Sequence, residues 1–172
     1  KRIAEGRMLD GDDSVLTRYF EILRQIDRRC VGIVDFRWKG TASPLYFRCG
    51  STDLLNFAQI FIHTEYAFDL RWQPTRILDL GAYIGYAAVY FANRFPSASL
   101  ICVEPSSDSF RMLTLNTSAY RNIRCVNAAI WSSTGEIKFA RNSPGDWGMH
   151  VDQNDADGIV VKAISLRDVL KL

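Results

Sequence analysis

Apolar positions along the chain fall into blocks of two periods, and the periods assign the elements. Across residues 14–30, Val15, Leu16, Tyr19, Phe20, Leu23 and Ile26 recur at helical spacing, with Ser14 placed to cap the first turn, which predicts an amphipathic helix. Residues 31–38 and 45–49 are short runs of β-formers, and the linker between them, residues 39–44, has the composition of a hairpin or loop. Ser51, Thr52 and Asp53 form a cap cluster ahead of Leu54, Leu55, Phe57, Ala58, Ile60 and Phe61, the opening of a second helix. Residues 1–74 are therefore expected to form a helical and hairpin extension packing on a core built from residues 75–172.

At Thr75 the pattern changes. Residues 76–80 read as a short buried strand, 81–85 as a small-residue turn, and 86–95 as an apolar helix stopped by Pro96. A second strand at 99–104 leads to Ser106, Ser107 and Asp108, which cap a helix running towards Tyr120, and residues 123–127 read as a third strand. This β-α-β-α-β order predicts an α/β fold with a parallel sheet flanked by helices over residues 75–172. Beyond it, residues 128–130 and 136–140 flank the turn 132–135, residues 142–157 have loop composition, 158–165 are β-branched, and 166–172 read as a short helix.

Composition narrows the classes. The 172 residues are 48% hydrophobic and 23% charged, which excludes disorder and suits a single buried core. A net charge of +2 is too small to argue for a nucleic-acid or anionic-membrane partner. The most apolar stretch, residues 54–70, is interrupted by Asn56, Gln59, His63, Glu65 and Asp69, so no membrane span is expected. Cys30, Cys49, Cys102 and Cys125 are well separated and form no CxxC pair, which predicts reduced, buried thiols in a cytoplasmic setting and no metal site.

Ligands of open parallel sheets bind beyond the carboxyl ends of the strands, so the residues just after each strand carry the chemistry. After the first strand comes Asp79-Leu-Gly-Ala-Tyr-Ile-Gly85, whose glycines permit a tight turn and close backbone approach. It lacks the middle glycine of GxGxxG, and Asp79 would repel a pyrophosphate but welcome an ammonium or sulfonium. Glu104 closes the second strand 25 residues later, where a carboxylate accepts hydrogen bonds from ribose hydroxyls, and Pro105 turns the chain. Asn127 and Ala128 end the third strand and offer an amide and a small flat wall to a base edge. An adenosine with a cationic tail meets these requirements, as S-adenosylmethionine does. The plainer alternative is that the glycines pack strand to helix and the acids face solvent.

These motifs extend to a family resemblance. The run RILDLGAYIG from Arg76 to Gly85, Val103-Glu-Pro-Ser106, Asn116, Asn127-Ala-Ala-Ile-Trp131 and Thr134-Gly135 resemble those of the FkbM-type S-adenosylmethionine-dependent methyltransferases. Upstream, Phe47 to Asp53, Gln59-Ile-Phe61 and Glu65-Tyr66 are similar to the segment preceding the cofactor fold in that family, and Val161 to Asp168 resembles a later strand and helix. The resemblance implies a Rossmann-like class I methyltransferase sheet that O-methylates a small metabolite or glycan hydroxyl. It implies Asp79, Gly81 and Gly85 around the methionine end of the cofactor, Glu104 on its ribose and Asn127 near its adenine; Ala82, Tyr83, Pro105 and Ala128 are expected beside them as cofactor contacts, and Tyr86, which begins the next helix, either points at the methionine carboxylate or packs. Tyr83 stands where the family usually has Asn. The family pattern also continues into a Leu-Lys-x-Asp-x-Glu-Gly strand beyond Leu172, so the sheet is expected to be incomplete at its C-terminus.

A hydroxyl nucleophile benefits from a general base. Asp53, His63, Asp146 and His150 are the candidates, with helix capping as the alternative role of Asp53, ordinary packing that of His63, and plain loop polarity that of His150. Trp131 and Trp147 suit either stacking on a ligand or packing, and the Arg24, Arg28 and Arg29 cluster suits a solvated helix face. A nicotinamide-dependent oxidoreductase or epimerase is the rival reading, and a non-catalytic nucleoside-cofactor-binding domain is the other.

Overall fold

The computed structural model describes residues 13–140, 151 and 157–172, so Asp146, Trp147 and His150 lie outside the described residues. The first helix, α1 (Asp13–Asp27), includes Ser14 rather than following it. Strands β1 (Ile33–Phe36) and β2 (Leu45–Arg48) pair antiparallel, with Phe36 opposite Leu45. Alternation along β2 buries Leu45 and Phe47, as a strand with one core face requires.

The second helix is split. Helix α2 (Asp53–Phe57) runs directly into a π-helical turn, Ala58–Ile62. Phe57 lies at the centre of an aromatic cluster, edge-on to Trp38 at 4.8 Å, Phe36 at 5.0 Å and Tyr86 at 5.9 Å. Such pairs contribute about 0.5–1.5 kcal/mol each beyond the area they bury. Through Tyr86, Val89, Tyr90 and Met112 this cluster is continuous with the two helices C-terminal to it, so the N-terminal section shares a core with them.

Strands β3 (Arg76–Leu80), β4 (Ser99–Val103) and β5 (Ile123–Val126) alternate with helices α3 (Tyr86–Arg94) and α4 (Ser107–Thr117). The strands form a parallel sheet in the order β3-β4-β5, with Asp79 opposite Cys102 and Cys102 opposite Cys125. Ser106 caps α4, its Oγ accepting from Ser109 N at 3.3 Å. Strands β6 (Ala129–Trp131), β7 (Gly135–Phe139) and β8 (Ile159–Ser165) form a second sheet in the order β6-β8-β7, and α5 (Leu166–Val169) comes after them. The molecule is thus a mixed α/β fold whose three-strand parallel sheet alternates with helices. No helix among the described residues is long and apolar enough to cross a membrane.

One expectation is corrected. Cys30 and Cys49 form a disulfide with a Cα separation of 5.9 Å, while Cys102 and Cys125 are free. The pair is brought together because α1 ends beside the β1–β2 sheet, where Cys49 N donates to Gly32 O at 2.8 Å. Disulfides persist in oxidising compartments and are rare in the cytosol, so the cytoplasmic expectation loses the thiol argument on which it rested. For Cys102 and Cys125 the expectation holds, since burial pushes both thiols up and away from the reactive thiolate.

Candidate functional site

Strands β3 and β4 end at a cavity of about 580 Å³ whose floor is Leu80, Gly81, Val103 and Glu104. Ala128, Ala129 and Ile130 form one side, with Phe139 of β7, and Asn56, Gln59, Ile60, Glu65 and Tyr66 form the other. Of the residues expected from sequence, Gly81, Tyr83, Glu104, Pro105 and Ala128 line this cavity, whereas Asp79, Ala82, Gly85, Tyr86 and Asn127 do not. A second cavity, between Ile33 and α4, contains none of them.

Two glycines bound the turn and do different things. Gly81 has φ +103°, and a Cβ built there meets nothing within 4 Å, so its backbone stands open at the cavity. Gly85 has φ +89°, and a Cβ there would lie 2.8 Å from Leu113 Cδ1 and 3.3 Å from Leu113 Cα, so this glycine lets α3 approach α4. Gly85 therefore serves packing, of helix on helix rather than of strand on helix.

Glu104 is buried at 7% exposure, and its carboxylate accepts from Tyr83 N and Ser106 N, both at 2.9 Å. These two bonds tie the glycine turn to the exit of β4. Asn127, expected at the base, gives its amide to the same exit instead, donating to Glu104 O at 2.8 Å and Pro105 O at 3.2 Å. Tyr86 is fully buried, and its hydroxyl donates to Tyr46 O at 2.8 Å, so it braces α3 against β2 rather than reaching the cavity.

Tyr83 adopts φ +49°, in the left-handed region where Asn is favoured over bulky residues. Its phenol offsets this strain: it donates to Asp53 Oδ1 at 2.7 Å, accepts from Arg48 Nη2 at 3.0 Å and lies 2.9 Å from Thr52 Oγ1. Burial, the largest influence, pushes this phenol up to about 12. Asp53 is itself fully buried. Its carboxylate takes two bonds from the Arg48 guanidinium, Nε to Oδ2 at 3.0 Å and Nη2 to Oδ1 at 2.8 Å, and a third from Arg48 N. Asp53 does not cap α2; its oxygens are bonded to Arg48 and Tyr83, and it does not line the cavity. His63 is exposed at the end of the π-helical turn and does not line the cavity.

Asp79 is the outlier in electrostatics. Its Oδ2 is buried and has no hydrogen-bond partner among the described residues, and burial lifts the carboxyl from 3.8 to about 6. Although off the cavity wall, it acts on Tyr66, which does line it: burial raises that phenol, with Asp79 and then Glu65 adding to the rise. Negative charge therefore gathers at this end of the cavity, from Asp79, Glu65 and Glu104, and no lysine or arginine is among its described lining residues.

In the sequence Gln59, Ile60, Glu65 and Tyr66 are family-like without being assigned to the site, and nothing there points to Asn56 or Phe139 as part of it. The π-helical turn that carries Gln59 has no period in the sequence to announce it. Neither the family models nor the curated proteins compared with this chain give a match.

Proposed function

We propose that this chain is an S-adenosylmethionine-dependent methyltransferase of the FkbM type, built on a Rossmann-like class I sheet, that methylates a hydroxyl of a small metabolite or glycan. The observation that carries the reading is the cavity at the carboxyl ends of β3 and β4, anionic and without a described cation in its wall, with the Gly81 backbone bare beside it. A pyrophosphate in it would meet Glu104 and Glu65 unscreened, whereas an ammonium would be drawn by both and, through space, by the buried Asp79 carboxylate behind the wall. That orphaned oxygen and the open space over Gly81 both fit the cofactor.

In this reading Glu104 accepts from the ribose hydroxyls, Gly81 serves the methionine end with the Asp79 charge behind it, and Ala128 with Ile130 and Phe139 flanks the base. When bound, S-adenosylmethionine supplies a methyl group on a sulfonium, and its displacement leaves a neutral thioether. The protein's share is positioning, which contributes about 7–11 kcal/mol when reacting atoms are held in line. Arg48, Asp53 and Tyr83 do this indirectly, by fixing the turn that presents Gly81. For the acceptor proton, Glu104 is held by two backbone amides, so Glu65, exposed on the cavity wall, is the carboxylate able to exchange it. No nucleic-acid partner is part of this reading.

Calorimetry with S-adenosylhomocysteine and with NAD tests it. Heat with the former alone is the expected result. Heat with NAD alone would replace the reading with a nicotinamide enzyme. Binding of S-adenosylhomocysteine without methyl transfer to a panel of hydroxyl acceptors would leave a cofactor-binding domain without catalysis.

A further inference from the structure

The end of α1 and the end of β2 bring three metal-ligating groups to one place, far in chemistry from the anionic cavity. Cys30 Sγ, Cys49 Sγ and a carboxylate oxygen of Asp27 all lie within 4.8 Å of one another, each partly buried. In the oxidised protein the two sulfurs are bonded to each other and have no charge to offer a cation. We propose that reduction of Cys30–Cys49 by a dithiol converts this spot into a site for a thiophilic divalent cation, zinc above all, with Cys30, Cys49 and Asp27 as its protein ligands.

The geometry is close to what a tetrahedral site needs. Zinc–sulfur bonds of about 2.3 Å place two thiolates about 3.8 Å apart. Once the covalent bond is gone, van der Waals repulsion separates the sulfurs towards that distance, while Cys30 N, donating to Ile26 O at 2.9 Å, and Cys49 N, donating to Gly32 O at 2.8 Å, hold the two backbones. Asp27 is already oriented, because Gly50 N donates to its Oδ1 at 2.7 Å, the kind of outer-shell bond that holds a ligating carboxylate in place. The Asp27 carbonyl oxygen, 3.7 Å from Cys30 Sγ, or a water completes the fourth position. Charge also balances: two thiolates and one carboxylate around a dication leave one net negative charge beside the C-terminus of α1, next to Arg28 and Arg29 in the chain. In the reduction the dithiol gives two electrons and two protons to the protein disulfide and is itself oxidised to a disulfide. Each new protein thiol then releases its proton to solvent as it ligates.

The test uses cobalt(II) as a spectroscopic probe and zinc in competition with a chromophoric chelator, on the chain oxidised and on the chain reduced and freed of reductant under anaerobic conditions. One cobalt per reduced chain, with thiolate-to-cobalt charge-transfer absorption that zinc displaces, and none in the oxidised chain, is the expected result. Asp27→Asn should weaken zinc binding by about 10- to 100-fold, the loss that removal of an orienting partner alone already causes, or by more. Cys30→Ser/Cys49→Ser, which retains Cys102 and Cys125, should lose the absorption, with circular dichroism reporting that the chain is still folded. Absence of the absorption in the reduced chain would overturn the proposal, as would its survival in the double serine variant. Unchanged zinc affinity in Asp27→Asn would remove the carboxylate and with it the three-ligand site. Because neither probe reads methyl transfer, this outcome is independent of the function proposed above.

Discussion

Replacing Asp79 by Asn should make the protein more stable and a worse binder at once. Burial raises the Asp79 carboxyl from 3.8 to about 6, so between those pH values the native state holds a proton that the unfolded chain has released. Stability therefore falls as pH rises through this window and stays low above it. At about 1.4 kcal/mol per tenfold change in proton affinity, the cost at pH 7 is about 3 kcal/mol. Asn has the shape of the protonated acid and shares its unsatisfied oxygen, so the variant should gain about 3 kcal/mol at neutral pH and nearly nothing below about pH 4, where wild type is protonated too. Urea unfolding across pH 4 to 8 reads both ends. On the ligand side, Asp79 lies behind the cavity wall and acts on a cationic ligand through space, an interaction of about 1–4 kcal/mol at short range. Calorimetry should accordingly show S-adenosylhomocysteine binding weakened by about 10- to 100-fold, and wild-type affinity rising with pH through about 6. A variant no more stable than wild type at pH 7.5, or one whose gain persists unchanged at pH 4, would refute the reasoning about a desolvated carboxylate.

Gly81→Ala and Gly85→Ala should separate binding from folding. Both strain a left-handed backbone, but only the second drives a methyl group into Leu113, adding about 1–3 kcal/mol of overpacking on top of the shared strain; equal midpoints in thermal melts would contradict this. Arg48→Met leaves the buried Asp53 carboxylate with only part of its shell, and should cost about 3–5 kcal/mol in chemical denaturation. A loss under about 1 kcal/mol would mean that water replaces the guanidinium there. Reducing Cys30–Cys49, which closes a 19-residue separation, should lower stability by about 3 kcal/mol in the chain-entropy account, read as a shift of the urea midpoint with and without reductant in chelator.

Much of the fold is legible in the sequence because local signals and tertiary demands agree. The strands at 76–80 and 99–103 are short apolar runs bounded by turn residues, and Ser106 caps α4 as its position implies. The second helix reads as one piece, since nothing in residues 54–61 distinguishes a π-helical turn from an α-helical one. The disulfide escapes because cysteine spacing says nothing about which chain ends meet in space. In the site, Gly81 and Glu104 are readable from their place after strands, and both line the cavity. Asp53 is not: its role is set by Arg48 on one element and Tyr83 on another, both outside the cap cluster in which it sits. Tyr86 and Asn127 lie off the cavity wall for a similar reason, each giving its side chain to a backbone carbonyl.

Strand β4 is hydrogen-bonded on both sides, while β3 has a paired neighbour on one side only among the described residues. Alternate amides of β3 consequently exchange with solvent without the sheet having to open, whereas those of β4 are released only by larger unfolding events. The cavity floor is therefore expected to be dynamically lopsided: stiff beneath Val103 and Glu104, softer beneath Leu80 and Gly81. A ligand seated across both strand ends would spend part of its binding free energy quieting the softer half, and deuterium uptake along residues 76–80 should slow when it does.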